Sequence, residues 1–179
     1  MENVVYSGGA TGSDIFWGAI AKHVGHTVVH YSFNGHKCLA MPEDTIILNQ
    51  QQLNIADPFL IQANIIMKRK FPTKTLHTNN LLRRNYWQVK ESTSIYGVGV
   101  FLNNQIKGGT GWAFAMYINM KKNDNIYFLN QDDSSWYQYI NSSWIKIETP
   151  AKPIGKWAGV GTRDLWESSH QKMIDIFEQ

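Results

Sequence analysis

The sequence of 179 residues predicts an α/β fold: a three-layer, Rossmann-like parallel sheet with helices on both faces, plus a small aromatic β-hairpin near 132–148. Three observations carry this. Residues 2–31 read as strand, glycine turn, amphipathic helix, strand, and such a βαβ unit implies a parallel sheet covered by helices. Ser94–Leu102 is nearly continuous apolar sequence with β-branched residues, the pattern of a strand buried on both faces. Three strand ends then run into glycine-rich turns, at Ser7–Asp14, Gly108–Trp112 and Gly159–Asp164.

Taken in order, Glu2–Tyr6 is the first strand. Phe16, Ile20 and Val24 recur at helical spacing, which predicts a helix over Ser13–Val24. Gly25 stops it, and Thr27–Tyr31 is the second strand. Between the prolines at 42, 58 and 72, helices are expected at Glu43–Asn54 and Pro58–Lys70. A further helix, Asn80–Ser92, carries Arg83, Arg84 and Asn85 near its start. After the central strand, Trp112–Met120 is apolar almost all round and reads as a buried helix. Asn125–Leu129 is a strand, and Asp132–Glu148 alternates aromatic and polar residues about Asn141-Ser142, as a hairpin does. Lys156–Val160 is the last strand. The closing helix, Leu165–Phe177, is expected to be capped by Asp164 with Glu167. No linker or repeat interrupts the chain, so residues 1–179 are read as one domain.

Composition narrows the class. Surface scaling at this mass predicts that about 70% of the unfolded surface is buried, enough for a core without disulfide or structural metal. A hydrophobic content of 43% excludes a disordered or collagen-like chain. The single cysteine, Cys38, cannot form an internal bridge, which suits the cytoplasm. No long apolar run or basic leader is present, so neither a membrane span nor a signal peptide is expected. A net charge of +3 is low for a nucleic-acid binder and suits an anionic small molecule.

The turns carry the functional expectation. In open parallel sheets ligands bind at the carboxyl ends of the strands. Glycine admits close backbone approach, and a helix amino terminus offers unpaired N–H groups to an anion. Gly9 and Gly12 have the wrong spacing for a dinucleotide fingerprint, and no Walker loop is present. The standard NAD dehydrogenase and mononucleotide kinase are therefore excluded.

The segments Val5–Asp14, Gly108–Gly111 and Ala158–Asp164 resemble the SLOG superfamily, which includes LOG-like (lysine-decarboxylase-like) proteins. Their order is closest to its molybdenum-carrier branch, circularly permuted relative to members that open with a Gly-x-Arg strand. The resemblance implies a Rossmann-like fold binding a nucleotide-derived ligand. Gly8, Gly9, Thr11 and Gly12 would cradle one phosphate, Gly109, Thr110 and Gly111 another, and Gly161, Thr162 and Arg163 would close the site, with Ser7, Asp14 and Gly108 of the same turns assigned to the ligand. Where LOG-type hydrolases carry a catalytic glutamate after the central glycine loop, this chain has Phe114, and the next carboxylate is Asp124.

Other side chains are candidates by type. Arg83 or Arg84 could reach a phosphate bidentately. Tyr31 or Phe33 could stack on a base, His36 or Lys37 could meet phosphate or ribose, and Trp112 is either core or a further stacking face. The spacing of His30, His36 and Cys38 matches no zinc pattern, so no metal and no cofactor is assigned. Trp136, Tyr137, Tyr139 and Trp144 suggest a homo-oligomer contact. The leading expectation is a non-enzymatic binder, sensing or sequestering a phosphate-bearing nucleotide such as ADP-ribose, an NAD derivative or a cyclic nucleotide. The alternative is a nucleotide N-glycoside hydrolase with Asp14 or Glu167 as the carboxylate.

Overall fold

A computed structural model describes residues 2–121, 123 and 125–179; Asp124 lies outside the described residues. The chain begins β1 (Val4–Ser7), α1 (Ser13–His23), β2 (Thr27–Phe33), β3 (Thr45–Leu48), α2 (Gln50–Asn54), α3 (Asp57–Met67), α4 (Leu76–Val89) and β4 (Ser94–Gly99). A two-stranded flap of β5 (Phe101–Leu102) and β6 (Gln105–Ile106) follows, then α5 (Gly108–Lys121) and β7 (Ile126–Asn130). The chain ends with the hairpin β8 (Ser135–Ile140) and β9 (Ser143–Ile147), then β10 (Lys156–Gly161) and α6 (Glu167–Asp175).

Among the described residues, eight strands form one sheet in the order β3-β2-β1-β10-β4-β7-β8-β9. The six from β3 to β7 are parallel, and the hairpin extends the sheet antiparallel along β7. The period of two sorts each strand's side chains between the layers. Val5, Tyr96, Val98 and Trp157 face α1 and α6, where they meet Trp17 and Met173. Ile95, Phe128, Ala158 and Val160 face the other way, against Phe114, Met116 and Tyr117 of α5. Gly97 has no side chain because the Phe114 ring lies where a Cβ would project. Among the described residues no helix is long and apolar enough to cross a membrane.

Three local expectations are corrected. Residues 43–54 are not one helix: Thr45-Ile46-Ile47-Leu48 is β-branched sequence that pairs with β2 as the sheet edge. Only then does Asn49 open α2 through a capping box with Gln52. Helix α4 starts at Leu76 behind a Thr75 cap, which moves Arg83, Arg84 and Asn85 into its middle. In α6, Trp166 holds the N-cap position with no side-chain cap, and the Asp164 N–H donates to Thr162 Oγ1 instead. The hairpin turn at Asn141-Ser142 has positive φ at both residues, as a tight two-residue loop requires.

Candidate functional site

The strand order reverses around β10. From β1 the chain crosses through α1 to β2 on one side, and from β4 it crosses through α5 to β7 on the other. A crevice at such a switch point is where open α/β sheets bind ligands. Here it is a cleft of about 550 Å³, within the range of small-molecule sites, roughly 300–1,000 Å³. Its walls come from the carboxyl ends of the strands (Ala10, Gly99, Gln131, Gly161), from one face of α4, and from the start of α5.

The first turn of α5 is open. A Cβ on Gly108 would meet nothing within 4 Å, and one on Gly109 only the Asn85 amide at 4.0 Å. The carbonyls here are held from outside: Arg69 donates to Gly108 and Ile106 at 2.8 and 2.6 Å, and Asn85 donates to Gly109 at 3.0 Å. The leading N–H groups of a helix have no intrahelical partner, and those of Gly108, Gly109 and Thr110 start a 14-residue helix at the cleft. Lys107, exposed beside them, adds a cation.

The turn after β1 is closed. Gly12, at φ 89°, is seated against the backbone carbonyls of Thr162 and Arg163, and Ser13 N–H donates to Thr162 at 2.9 Å. A Cβ on Gly9 would strike Cys38 of the loop after β2. Ser7 Oγ donates to the Gly159 carbonyl at 2.6 Å, and the Asp14 carbonyl lies 3.0 Å away. This turn ties β1, α1 and β10 together, and the described residues themselves fill the space a phosphate would need at Gly9 and Gly12.

At the floor lie Asp14, Arg84 and Gln88, exposed by only 4%, 6% and 1%. Arg84 Nη1 donates to the Gly8 carbonyl at 2.7 Å and to His36 Nε2 at 2.8 Å, while Nη2 lies 3.4 Å from Asp14 Oδ2. With His36 Nε2 accepting, the ring proton sits on Nδ1, 2.8 Å from Ser32 Oγ. Burial and the neighbouring Arg84 charge push the His36 pKa down to about 3, so the ring is neutral. Burial outweighs Arg84 at Asp14 and raises its pKa to about 6, although the Gly161 and Gly8 N–H groups oppose the shift. Arg84 Nε and both amide atoms of Gln88 are buried with no partner among the described residues.

The cleft therefore gathers Asp14, Arg84, Gly108, Gly109, Thr110, Gly161, Thr162 and Arg163. Thr11, His36 and Lys37 line a smaller depression of about 140 Å³ with His77, joined to the cleft through Ala10 and Arg163. The other named residues lie elsewhere. Tyr31 packs between Tyr6 and Trp87 in the core. Arg83 forms a bidentate pair with Asp57 at 2.7 and 2.9 Å. Gly111 is closed against the Ile106 carbonyl, and Trp112 is buried beside Phe71. Glu167 is exposed in the first turn of α6 and does not line the cleft. In the hairpin, Trp136 is buried, Tyr139 and Trp144 pack against the core beside Phe101, and the Tyr137 hydroxyl donates to Asp133 at 2.7 Å.

Of the lining residues that belong to none of the predicted turns, three stand out. Gln88 is a buried polar side chain one turn after Arg84 and Asn85 on the cleft-facing side of α4. Gln131 accepts from the Trp166 N–H at 2.8 Å and donates to the Asp164 carbonyl at 3.1 Å, fixing the rim loop. Trp166 itself stands on that rim, 46% exposed. Compared with protein-family profiles, with curated proteins and with solved structures, the chain matches none.

Proposed function

We propose that this protein is a SLOG-like, non-enzymatic binder of a phosphate-bearing nucleotide, which it senses or sequesters, and that the phosphate lies against the amino terminus of α5. One observation carries the reading: a helix start left open at Gly108 and Gly109 faces a nucleotide-sized cleft whose floor holds buried polar atoms without partners among the described residues. The helix dipole and free N–H groups favour an anion there, and Lys107 and Arg163 add charge at the mouth. Trp166 at the rim supplies an aromatic face. The test is titration with ADP-ribose, NAD and cyclic nucleotides, followed by Trp166 fluorescence with Trp166→Phe as the control. Saturable binding with intact nucleotide recovered is the expected result, and no binding of any of them refutes the reading.

One observation favours the second reading, hydrolysis of a nucleotide N-glycosidic bond. Asp14 is a cleft carboxyl whose pKa of about 6 suits proton transfer near neutrality. Release of free base from nucleoside monophosphates, lost in Asp14→Asn, would establish it.

A further inference from the structure

Four uncharged stretches of the chain meet on one side of the molecule. Residues 58–67 of α3, 100–106 through the flap, 111–120 of α5 and 139–145 of the hairpin contain no Asp, Glu, Lys or Arg, in a chain that is 17% charged. They enclose a groove of about 210 Å³, lined by Ile66, Ile106, Phe114, Ile118, Tyr139 and Trp144 among others. It shares no lining residue with the cleft. Two of the four hairpin aromatics, Tyr139 and Trp144, stand at this groove. Trp136 is buried on the other face of the sheet, and Tyr137 is tied to Asp133.

Beside the groove the surface carries a ridge. Ile61, Ile65 and Ile66 of α3 are 56%, 63% and 62% exposed, and Leu102 on the flap is 55% exposed. Ile61 and Ile65 lie one turn apart, on the face of α3 away from Leu60, Ala63 and Met67, which pack into the core. Single apolar residues scattered over a surface need no explanation, whereas a contiguous patch marks an interaction site. Loss of charge and gain of aromatic residues are what set the centre of a protein interface apart from other surface.

The patch is its own complement. Ridge and groove lie side by side, and a two-fold axis across α3 lays each copy's ridge into the other's groove. The same axis runs the two α3 helices antiparallel, which carries the Asp57 end of each toward the Lys68 end of its partner. About two dozen residues of the four stretches are exposed or half-exposed, which matches the roughly 20–30 per side of a standard interface. None of them is charged, so no unpaired ion is desolvated on association. We infer that this face is the interface of a two-fold symmetric homodimer, with the Ile61–Ile66 ridge of each copy seated in the groove between α3, α5 and the hairpin of the other. It stands apart from the nucleotide reading, since neither depends on the other.

The test is sedimentation equilibrium of the full chain, with the thermal midpoint followed over a hundredfold range of concentration. The wild type sediments at twice the mass of one chain, and its midpoint rises with concentration, because folding is linked to association. Ile65→Glu puts a charge on the ridge at a position exposed in the single chain, so the variant folds. Its dimer dissociation constant is raised at least hundredfold, and its midpoint no longer depends on concentration. Leu102→Glu carries the same comparison on the flap if Ile65→Glu does not fold. Ile46→Glu, at an exposed isoleucine of the edge strand β3, remains a dimer. A wild type that stays monomeric throughout leaves the face to another occupant and overturns the inference. So does a dimer that survives both Ile65→Glu and Leu102→Glu. A dimer lost in Ile46→Glu and kept in the other two assigns the contact to the sheet edge and overturns it as well.

Discussion

The Arg84 guanidinium lies 3.4 Å from the Asp14 carboxylate, and both side chains are more than nine-tenths buried. The pair joins α4 to the start of α1 beneath the cleft. Arg84 also binds the Gly8 carbonyl and His36, so one side chain secures the end of β1, the loop after β2 and the cleft floor. Its sequence neighbour does something different. Arg83 points about 100° away around the helix, where it meets the partly exposed Asp57.

Substitution separates the two arginines. Arg84→Met strands Asp14 without its cation, and removing one member of a buried pair costs about 3–5 kcal/mol. Urea unfolding at pH 8 should show that loss, and the loss should shrink at pH 5, where Asp14 can take up a proton. Arg83→Ala removes an ion pair with a partly exposed partner and should cost about 1 kcal/mol or less. Ligand affinity should be unchanged in Arg83→Ala, because Arg83 does not line the cleft.

Asp14 makes stability depend on pH in a defined window. Its folded pKa of about 6 stands above the ordinary 3.8. Below the lower value both states are protonated and the group carries no penalty. As pH rises through the higher value, the folded state must hold a buried charge and stability is lost, by about 3 kcal/mol across the window. Asp14→Asn lacks this loss, so the stability of the wild type relative to the variant should fall between pH 4 and pH 7 and stay level above that. The same proton acts on binding. Affinity for ADP-ribose, whose pyrophosphate does not titrate near neutrality, should drop as pH rises through 6 in the wild type and not in Asp14→Asn. Urea unfolding and calorimetric titration across this range would check both.

Much of the scaffold was legible because it rests on short-range patterns. The βαβ opening, the apolar run of β4 and the Asn141-Ser142 turn each follow from local spacing or backbone preference. The edge strand β3 was not, because Ile46 and Ile47 are both exposed and show no alternation, so the segment between two prolines reads equally as helix. For the site, the sequence indicates which turns are glycine-rich and not what each glycine faces. Gly12 and Gly108 both have positive φ, yet one is pressed on a neighbouring backbone and the other borders open space. The choice between Arg83 and Arg84 depends on the packing of α4, and Gln88 and Trp166 belong to no motif at all.

The contrast between the glycine turns is itself testable. Gly109→Asp puts a carboxylate at the α5 amino terminus, where it has room and suits the dipole, stabilising the helix by about 0.3–1 kcal/mol. It also places a negative charge where the ligand phosphate would lie. The thermal midpoint should therefore hold or rise while nucleotide affinity falls at least tenfold. Gly12→Ala acts oppositely, forcing a Cβ into the Thr162 and Arg163 carbonyls at φ 89°, so it should destabilise the protein severely. A phosphate cradled at Gly12 would instead require both variants to fold and both to lose affinity.

Arg163 links the main cleft to the smaller depression that holds Thr11, His36, Lys37 and His77. Its side chain is exposed at the rim, so truncation should leave stability within about 0.5 kcal/mol of the wild type. Its effect on binding should depend on how far the ligand reaches. A nucleoside monophosphate seated at Gly108–Thr110 has no second charge to extend toward the depression, whereas a pyrophosphate can span the two. His36 is neutral, so Arg163 and Lys37 are the permanent cations on that path. Arg163→Ala should therefore weaken ADP-ribose by about tenfold and AMP by much less. Because exposed charges are screened within about 8–10 Å at physiological salt, the difference should narrow as ionic strength rises. Paired titrations of the two nucleotides at 20 and 300 mM salt decide it, and an equal loss for both would confine the ligand to the main cleft.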